Sequence, residues 1–486
     1  MNARLRMGFV VVLMIGGTAL LPGCATNPVT GRREITLVSP EQELEIGRQG
    51  YAPVLAEYGL YDDAALQTYV NTVGQRVAKV SHLPDLEWHF TVLDDPTVNA
   101  FAMPGGYIYV TRGLLAHLGS EAQLAGVLGH EIGHVTRRHS AAQMTQQQLY
   151  GAGLALGSLV SQTVQRYSGA AQQALGLMFL KFSRTDESQA DELGVEYATK
   201  AGYDPREIPA TYHTLQRIGE ASGQQLPGFM STHPDPGDRQ RVTTDLAQKA
   251  AAGKTGLLVN AVAYVQRMDG VLFGQDPRQG YFAGDDYFHP TMRFHLRFPA
   301  GWRHQESHSS VVAVDAAQTA GMQLTVAAGA GGQSAASFVA DLKSKGSVAG
   351  ANGAEESIHG QLSWVGQLDV TPAGQPAAWL DAGFIRMSAA LLQILGQSKA
   401  QGDANERLIF TSIRSCEVLT DAGRIAVTPE RVRVRAADAA GSFEAVLRRL
   451  GADPARLPAD VLLNDIDLAT PVAAGALLKF VVRSNP

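Results

Sequence analysis

Apolar residues recur every three to four positions through residues 121–138, EAQLAGVLGHEIGHVTRR. The residues at this spacing are Leu124, Val127, Leu128, Ile132 and Val135. The pattern predicts an amphipathic helix that is largely buried. Glycine costs a helix interior about 1 kcal/mol relative to alanine, so Gly129 and Gly133 indicate a packing or access requirement at these positions.

Weaker periodic patterns surround this helix. Helical spacing predicts helices at residues 42–58, 62–80 and 183–200. Short apolar runs bounded by turn residues predict strands at 88–93 and 106–110. The first half of the chain therefore predicts a mainly helical unit with a small sheet.

In the second half, apolar and polar residues alternate as in β-strands, and stretches with helical spacing lie between them. Period-two alternation predicts strands at 292–298 and 322–326, and helices are predicted at 335–345 and 388–395. In the last sixty residues the pattern predicts a strand around Val432 and Val434, helices at 442–450 and 459–464, and a closing strand at 477–482.

At 486 residues the chain is too long for one ordinary core, so several domains are expected. The predicted fold class is α+β. We expect a mainly helical domain with a small sheet at 41–273, a linker at 274–290, a small α+β domain at 291–420 and a short α/β tail at 427–486. The net charge of -6, with no basic patch among aromatic residues, argues against a nucleic-acid partner.

The N-terminus has the pattern of an export signal. Arg4 and Arg6 precede an apolar run over residues 7–21, which ends in Leu21-Pro22-Gly23-Cys24. This predicts a signal peptide at 1–23 and a tether at 24–40. The end of the run resembles the lipobox of bacterial lipoproteins, which implies a lipid on Cys24. An ordinary signal that is cleaved nearby is the alternative.

Two further expectations follow from a lipidated Cys24. Ala25 follows the cysteine, and in the lipoproteins that this sequence resembles, a residue other than Asp there implies an outer-membrane protein facing the periplasm. Cys416 would then have no partner within the chain, so no internal disulfide is expected.

The central helix carries His130-Glu131-Ile132-Gly133-His134. Two histidines four residues apart lie one above the other on a helix face, so both imidazoles can reach one ion. Glu131 stands beside that face and can act on a water. A chance placement of core histidines is the alternative, but a buried helix rarely tolerates three such groups unpaired. Catalytic zinc takes three protein ligands, so a third must come from elsewhere.

Glu187 and Asp191 share a face of the helix predicted at 183–200. One carboxylate can bind a metal while the other accepts the second N–H of a ligand histidine. Taken alone, acidic residues at a helix start are usually caps or solvated charges. Because His130 and His134 still need a third ligand, we favour the metal interpretation.

Small residues and glycines fill the stretch NAFAMPGG that starts at Asn99. Such residues let another backbone approach closely. A protease cleft commonly aligns an extended substrate along a sheet edge, which makes Asn99, Ala100, Phe101 and Gly105 candidates for substrate binding. An ordinary bulged hairpin is an equal alternative.

Residues 140–183 are rich in Ala, Gly and Gln, and their longest uncharged apolar piece, 149–160, is too short to span a bilayer. A mobile lid, a membrane-leaning hairpin and a buried helical pair are all compatible with this composition.

Four motifs together resemble metallopeptidase family 48, a group of gluzincins. They are HEIGH at 130–134, SRTDESQAD at 183–191, the NAFAMPGG stretch, and THPDPGDR at 232–239. The resemblance covers roughly residues 40–255. It implies a zincin-type metalloprotease domain in which one zinc per chain is bound by His130, His134 and Glu187, with Glu131 as general base.

The resemblance implies roles for the neighbouring residues as well. Asp191 and Arg239 would support the ligands from behind. His233 would stabilise the oxyanion, or occupy the open zinc position at rest. The last sixty residues weakly resemble a LysM module, although its usual Gly-Asp-Thr start is replaced by Ala440-Gly441-Ser442. This resemblance makes peptidoglycan a further partner to test.

The function implied is a zinc endopeptidase of the bacterial envelope that degrades misfolded or unassembled envelope proteins, with outer-membrane assembly machinery as a further partner. Two alternatives stay open. One is a mostly shut protease that acts as a chaperone or assembly factor for outer-membrane proteins, and the other is a peptidoglycan-binding module.

Overall fold

The computed structural model describes residues 23–149, 181–221, 233, 236–371 and 377–483. The predicted signal peptide and nearly all of the apolar piece at 149–160 lie outside these residues. The described chain is α+β, as predicted. Among the described residues, no helix combines the length and apolar character that a bilayer crossing requires.

Helices account for most of the described residues in the first half of the chain. Those up to residue 267 are α1 (Pro40–Tyr58), α2 (Ala64–Ala78), α3 (Arg112–His117), α4 (Glu121–Thr136), α5 (His139–Leu149), α6 (Arg184–Lys200), α7 (Ile208–Ala221), α8 (Pro236–Ala251) and α9 (Ala261–Arg267). The later ones are α10 (Ala335–Ser344), α11 (Ala404–Arg414), α12 (Ala422–Ile425), α13 (Phe443–Arg449) and α14 (Leu457–Asn464). The predicted helices at 42–58, 62–80, 121–138 and 183–200 are confirmed as α1, α2, α4 and α6.

Strands begin at the first described residue. Those up to residue 297 are β1 (Gly23–Thr26), β2 (Arg33–Thr36), β3 (His89–Leu93), β4 (Ala100–Met103), β5 (Tyr107–Thr111), β6 (Leu272–Phe273), β7 (Tyr281–Ala283), β8 (Asp286–His289) and β9 (Phe294–Arg297). The middle group is β10 (Arg303–Glu306), β11 (Ser310–Val314), β12 (Gly321–Val326), β13 (Gly350–Ile358), β14 (Gln361–Val370), β15 (Ala378–Arg386) and β16 (Leu391–Gln397). The last are β17 (Glu417–Val418), β18 (Glu430–Ala436), β19 (Gly441–Ser442), β20 (Pro471–Val472) and β21 (Leu477–Arg483).

A three-stranded sheet and the helix α4 form the centre of the first unit. The strand order is β3-β5-β4, with β3 parallel and β4 antiparallel to β5. β4 is therefore an edge strand. Ser120 caps α4 by accepting the N–H of Gln123, and nearly every residue of the helix is buried. Its apolar side chains join α2 and β3 in the largest core of the molecule.

α4 and α6 cross at glycines. A Cβ added to Gly129 would lie 3.0 Å from the carbonyl oxygen of Gly194, and one added to Gly194 would lie 3.0 Å from the amide nitrogen of His130. A Cβ added to Gly133 would likewise lie 3.2 Å from the backbone of Ala190. The glycines within HEIGH and just before it thus let the two helix backbones touch, which is the packing requirement that their presence indicated.

The second unit is built on a seven-stranded antiparallel sheet with the order β10-β11-β12-β16-β15-β14-β13. A four-stranded sheet, β17-β9-β8-β7, continues the same unit. The stretch 274–290, for which a linker was predicted, contains β7 and β8 and pairs with β9.

The helix predicted at 388–395 is wrong, because these residues contain most of strand β16. Leu392 and Ile394 pack in one apolar cluster of the sheet, together with Ile409 and Ile413 of α11. Leu391 packs in a second cluster with Phe338 of α10. The two clusters bury both faces of this central strand, so its sequence lacks the polar alternation that marks a half-buried strand.

The tail, residues 427–486 of the sequence, packs against the first unit through its described residues. β18 pairs with β6 as well as with β21. Val432, Val434, Leu463 and Val481 belong to the same core cluster as α4. The buried Lys479 donates hydrogen bonds to the carbonyls of Ala116 and Leu118, at 2.7 and 2.9 Å. The tail is therefore packed into the first unit, and the second unit is an insertion between β6 and β18.

The stretch 24–40, for which a tether was predicted, is also ordered. β1 and β2 form an antiparallel pair in which Cys24 lies opposite Ile35. The buried Asn27 donates to the carbonyl of Arg137 at 3.2 Å, one residue beyond α4. The amide of Leu37 donates to the hydroxyl of Thr145 in α5 at 3.0 Å. The hairpin is thus fixed beside the end of the central helix.

Candidate metal centre

His130 and His134 point their Nε2 atoms at one place. These atoms lie 3.0 Å apart, and both residues are 2% exposed. Burial, together with the neighbouring His130, His139 and His233, lowers the pKa of His134 well below its ordinary value. Lone pairs of neutral imidazoles that face each other at this distance repel unless a cation lies between them.

Glu187 comes to the same place from the first turn of α6. Its Oε2 lies 3.6 Å from Nε2 of His130, and its Oε1 lies 3.8 Å from Nε2 of His134. A capping box between Ser183 and Asp186 fixes the start of this helix at Arg184. Burial would raise the pKa of Glu187, but His233 and Arg239 outweigh it and lower the pKa below its usual value.

His233 is the fourth member of the cluster. Its Nδ1 lies 2.8 Å from Oε1 of Glu187 and 3.4 Å from Nε2 of His130. Within the described residues, potential ligand atoms of His130, His134, Glu187 and His233 all lie within 4.8 Å of one another, and all four residues are buried. Burial would lower the pKa of His233, but the carboxylates of Glu187 and Glu131 raise it overall.

Asp191 and Arg239 lie behind this cluster. Oδ1 of Asp191 is 3.0 Å from Nδ1 of His130, so the carboxylate can accept the proton of that nitrogen. Arg239 donates to both oxygens of Asp191, at 2.6 and 2.9 Å, and its Nη1 lies 2.8 Å from Glu187. Burial would raise the pKa of Asp191, but Arg239 and His130 hold it well below the usual range. Tyr212 completes the group by donating to Asp191 at 2.6 Å.

Glu131 is fully buried beside the cluster, and neither of its carboxylate oxygens accepts a hydrogen bond. Its Oε1 lies 3.7 Å from Nε2 of His233. Burial raises the pKa of the Glu131 carboxyl. Leaving a buried carboxylate without a hydrogen bond costs free energy, so this group is poised for a partner such as water or substrate.

The donor set fits zinc. Two imidazole nitrogens and a carboxylate form the set that catalytic zinc takes in the HExxH peptidases, with one position left open. Oε2 of Glu187 lies 3.6 Å from Nε2 of His130, and its ion pair with Nη1 of Arg239, at 2.8 Å, favours the ionised carboxylate that a zinc ligand must be. Each ligand histidine also has a partner on its Nδ1, which orients Nε2 inward.

The stretch from Asn99 forms the edge strand β4, which lies against α4. Asn99 is 8% exposed, and its side-chain oxygen accepts no hydrogen bond. Phe101 stacks on Tyr109 with ring centroids 5.0 Å apart, in a buried cluster. Gly105, at a φ of +82°, lies against Glu43 and Leu44 of α1, where a Cβ would come within 2.9 Å of backbone atoms. Packing thus accounts for Phe101 and Gly105, and a substrate role for the strand stays a prediction.

Tyr212 was not predicted from the sequence, and neither were two residues that contact His134. Nδ1 of His139 lies 3.0 Å from Nδ1 of His134. The ring of Phe182 stacks on His134 with centroids 4.0 Å apart. His139 follows His134 by five residues, which is off the helical period, so spacing alone gave no signal. Phe182 directly precedes the SRTDESQAD motif, and its position offered no signal either.

The sequence profile of Peptidase family M48 matches residues 64–246 of the chain. The mitochondrial metalloendopeptidase OMA1 of Schizosaccharomyces pombe is 30% identical over 252 residues, which are 49% of this chain and 71% of that protein. The chain belongs to peptidase family M48.

Two other relatives each match less than half of the chain. The mitochondrial metalloendopeptidase OMA1 of Arabidopsis thaliana is 36% identical over 40% of this chain and 41% of that protein. The β-barrel assembly-enhancing protease of Escherichia coli (strain K12) is 30% identical over 44% of this chain and 45% of that protein. The chain spans less than half the length of these two relatives. For an M48 gluzincin with this donor set, the cofactor is zinc.

Proposed function

We propose that this M48 chain is a zinc-dependent endopeptidase of the bacterial cell envelope. The observation that carries the proposal is the convergence of His130, His134 and Glu187, from two helices, beside a buried carboxylate without a hydrogen bond. When bound, zinc lowers the pKa of a coordinated water and polarises the carbonyl to be cleaved.

Glu131 moves the proton in this proposal. Its carboxylate takes a proton from the attacking water and then passes it to the leaving amine. Burial raises the pKa of this carboxyl, which makes it a better base than an exposed glutamate. Nε2 of His233 lies on the same side, 3.7 Å from Glu131, and can donate to the oxygen that gains negative charge. Asp191 and Arg239 hold His130 and Glu187 in place.

The edge of β4 is the proposed place for the substrate backbone. An edge strand offers N–H and C=O groups to an extended peptide regardless of its side chains. Because β4 packs against the helix that carries His130 and Glu131, a peptide added there would run past the cluster. We therefore expect weak sequence selectivity, with unfolded or unassembled envelope proteins as substrates.

The test is the variant Glu131→Gln. It keeps the size and the polarity of the side chain but removes the base, so zinc binding should persist while casein cleavage falls by about 100-fold or more. The matched control is Glu192→Gln, an exposed residue of α6. Casein cleavage by Glu131→Gln at the wild-type rate would refute the assigned base.

The outer-membrane location rests on Cys24. A lipid on this residue would hold the β1–β2 pair at the membrane, where the facing Ile35 is 68% exposed. Only two residues separate Cys24 from Asn27, which is bonded to the end of the central helix, so the cleft would act close to the bilayer. Labelled palmitate should enter the wild-type chain and not Cys24→Ser. Labelling of both proteins would reject the anchor.

A second candidate is a mostly shut protease that serves outer-membrane assembly, and the position of His233 favours it. Its Nδ1 lies among the ligand atoms, where it can fill the open zinc position. The E. coli relative carries β-barrel assembly in its name. Casein cleavage by His233→Ala decides between the two, because faster cleavage than wild type indicates a shut resting state and slower cleavage indicates the oxyanion role. Peptidoglycan binding by residues 427–486 stays a prediction.

A further inference from the structure

His134 is backed by a group different from the one behind His130. Nδ1 of His130 faces a carboxylate, Asp191, whereas Nδ1 of His134 faces another imidazole nitrogen, Nδ1 of His139, at 3.0 Å. A carboxylate can only accept here, but an imidazole can either donate or accept. The direction of the His134–His139 hydrogen bond therefore has to be fixed by something else.

Arg137 determines this direction, because its guanidinium can only donate hydrogen bonds. A guanidinium has no acceptor, so Nε of Arg137 must donate to the Gln189 side-chain atom that lies 2.8 Å away. That atom is therefore the amide oxygen. The same oxygen lies 3.1 Å from Nε2 of His139, so this nitrogen must carry the proton. A neutral His139 with its proton on Nε2 can only accept at Nδ1.

We infer that Arg137, Gln189 and His139 form a directional hydrogen-bond chain that holds the proton of His134 on Nδ1. His134 then has its lone pair on Nε2, the atom that faces His130 and Glu187. His139 is thus a positioning residue for a zinc ligand, and Arg137 sets the tautomer of that ligand from three links away. The inference rests on the proposed zinc site and adds to it.

The turn between α4 and α5, within HEIGHVTRRH, makes the His134–His139 contact possible. α4 ends at Thr136, and Arg138 takes a left-handed conformation with a φ of +59°. A non-glycine residue adopts this conformation at some cost in free energy. Arg138 is held there by Glu43, at 2.8 Å, and by the carbonyl of Val38, at 2.9 Å. The turn places His139, the first residue of α5, in contact with His134. His139 is 4% exposed there.

Three substitutions separate an acceptor role from simple packing. His139→Leu removes the acceptor, His139→Asn keeps an oxygen near the position of Nδ1, and His139→Gln places its amide near the position of Nε2 instead. Groups that orient a ligand histidine typically contribute 10–100-fold to metal affinity. We expect zinc affinity to fall about 10–100-fold in His139→Leu and in His139→Gln, and to stay within a few-fold of wild type in His139→Asn.

The measurement is the zinc dissociation constant, from competition with a chromophoric chelator. The control is His82→Leu, a histidine bonded to Tyr197 outside the cluster. Equal zinc affinity of His139→Leu and wild type would overturn the inference, as would equally weak binding by His139→Asn and His139→Leu. A wild-type chain that binds no zinc would instead overturn the proposed function.

A second measurement needs no substitution at His139. Nitrogen-15 spectra of the imidazole rings distinguish the two tautomers of each histidine in the zinc-loaded wild-type chain. The hydrogen-bond chain requires the proton on Nε2 of His139 and on Nδ1 of His134. A proton on Nδ1 of His139 would reverse the hydrogen bond and contradict the inference, even if the His139 variants fail to fold.

Discussion

The side chains behind the metal ligands carry much of the charge balance of the site. Arg239 is 6% exposed, and its guanidinium contacts two carboxylates, Asp191 and Glu187. Breaking one member of a buried charge network leaves the remaining charges without compensation, which typically costs 3–5 kcal/mol. Asp191 is the member that both orients His130 and neutralises Arg239, so its loss affects both functions.

We predict that Asp191→Asn lowers the free energy of unfolding of the metal-free protein by about 3 kcal/mol at pH 7. Because the folded-state pKa of Asp191 is depressed, its contribution is fully present above the unfolded pKa of about 3.9 and is lost as the pH falls through the folded value. The difference between wild type and variant should therefore be constant from about pH 7 to 5 and shrink below about pH 4.

Urea unfolding at pH 7, 5 and 3.5 measures this difference. Asp62→Asn, at an exposed aspartate, is the control and should change little at any pH. A stability difference that grows toward acid would show that Asp191 is not held ionised by its neighbours.

At the scale of elements, the contact between α4 and α6 decides whether the site can form. The two helices bring His130, His134 and Glu187 together only because glycines let their backbones meet. Ridges of larger side chains would keep such helices 8–10 Å apart, and the carboxylate of Glu187 would then move away from the imidazoles. The glycines are thus part of the site although they have no ligand atoms.

We predict that Gly129→Val weakens zinc binding roughly tenfold or more and lowers the stability by about 1–3 kcal/mol, because its side chain would press on Gly194. The zinc dissociation constant and the thermal unfolding midpoint measure these two effects. Gly332→Val, at a glycine whose Cβ would meet nothing within 4 Å, is the control. Unchanged zinc affinity in Gly129→Val would show that the helix contact does not position Glu187.

The sequence predicted the elements that have a clear period or a cap. The helices with HEIGH and SRTDESQAD were predicted within two residues of their observed ends. Strand β16 was mistaken for a helix, since an apolar run buried on both faces has no period. His139 was missed because it reaches His134 through a left-handed turn at Arg138, which the sequence pattern does not reveal.

At the scale of the whole molecule, the order of the units differs from the linear arrangement that the sequence indicated. The tail completes the core of the first unit, while the seven-stranded sheet and its neighbours are inserted between β6 and β18. Phe273 and Glu430 are direct partners in the β6–β18 ladder, so the insertion starts and ends at adjacent points. Long-range strand pairing of this kind leaves no local signal in a sequence.

We predict that the inserted unit can be removed and that the tail cannot. A chain in which Asn-Gly replaces residues 274–429 closes β6 and β18 as a hairpin and should still fold and bind zinc. A chain that ends before residue 430 lacks Val432, Val434, Leu463 and Val481, which uncovers the core residues that pack against them, and it should lose cooperative unfolding. Calorimetry and zinc titration of both chains test this. Cooperative unfolding of the chain without a tail would contradict the role assigned to the tail.

The most direct test of the whole account is the zinc content of the purified protein compared with its Glu187→Ala variant. Glu192→Ala, an exposed residue on the same helix, is the control. We predict one equivalent of zinc per chain in wild type and control, and far less than one in Glu187→Ala, with casein cleavage lost in parallel. A wild-type chain without zinc, or a Glu187→Ala chain that retains a full equivalent, would contradict the central claim that residues from α4 and α6 form one metal centre.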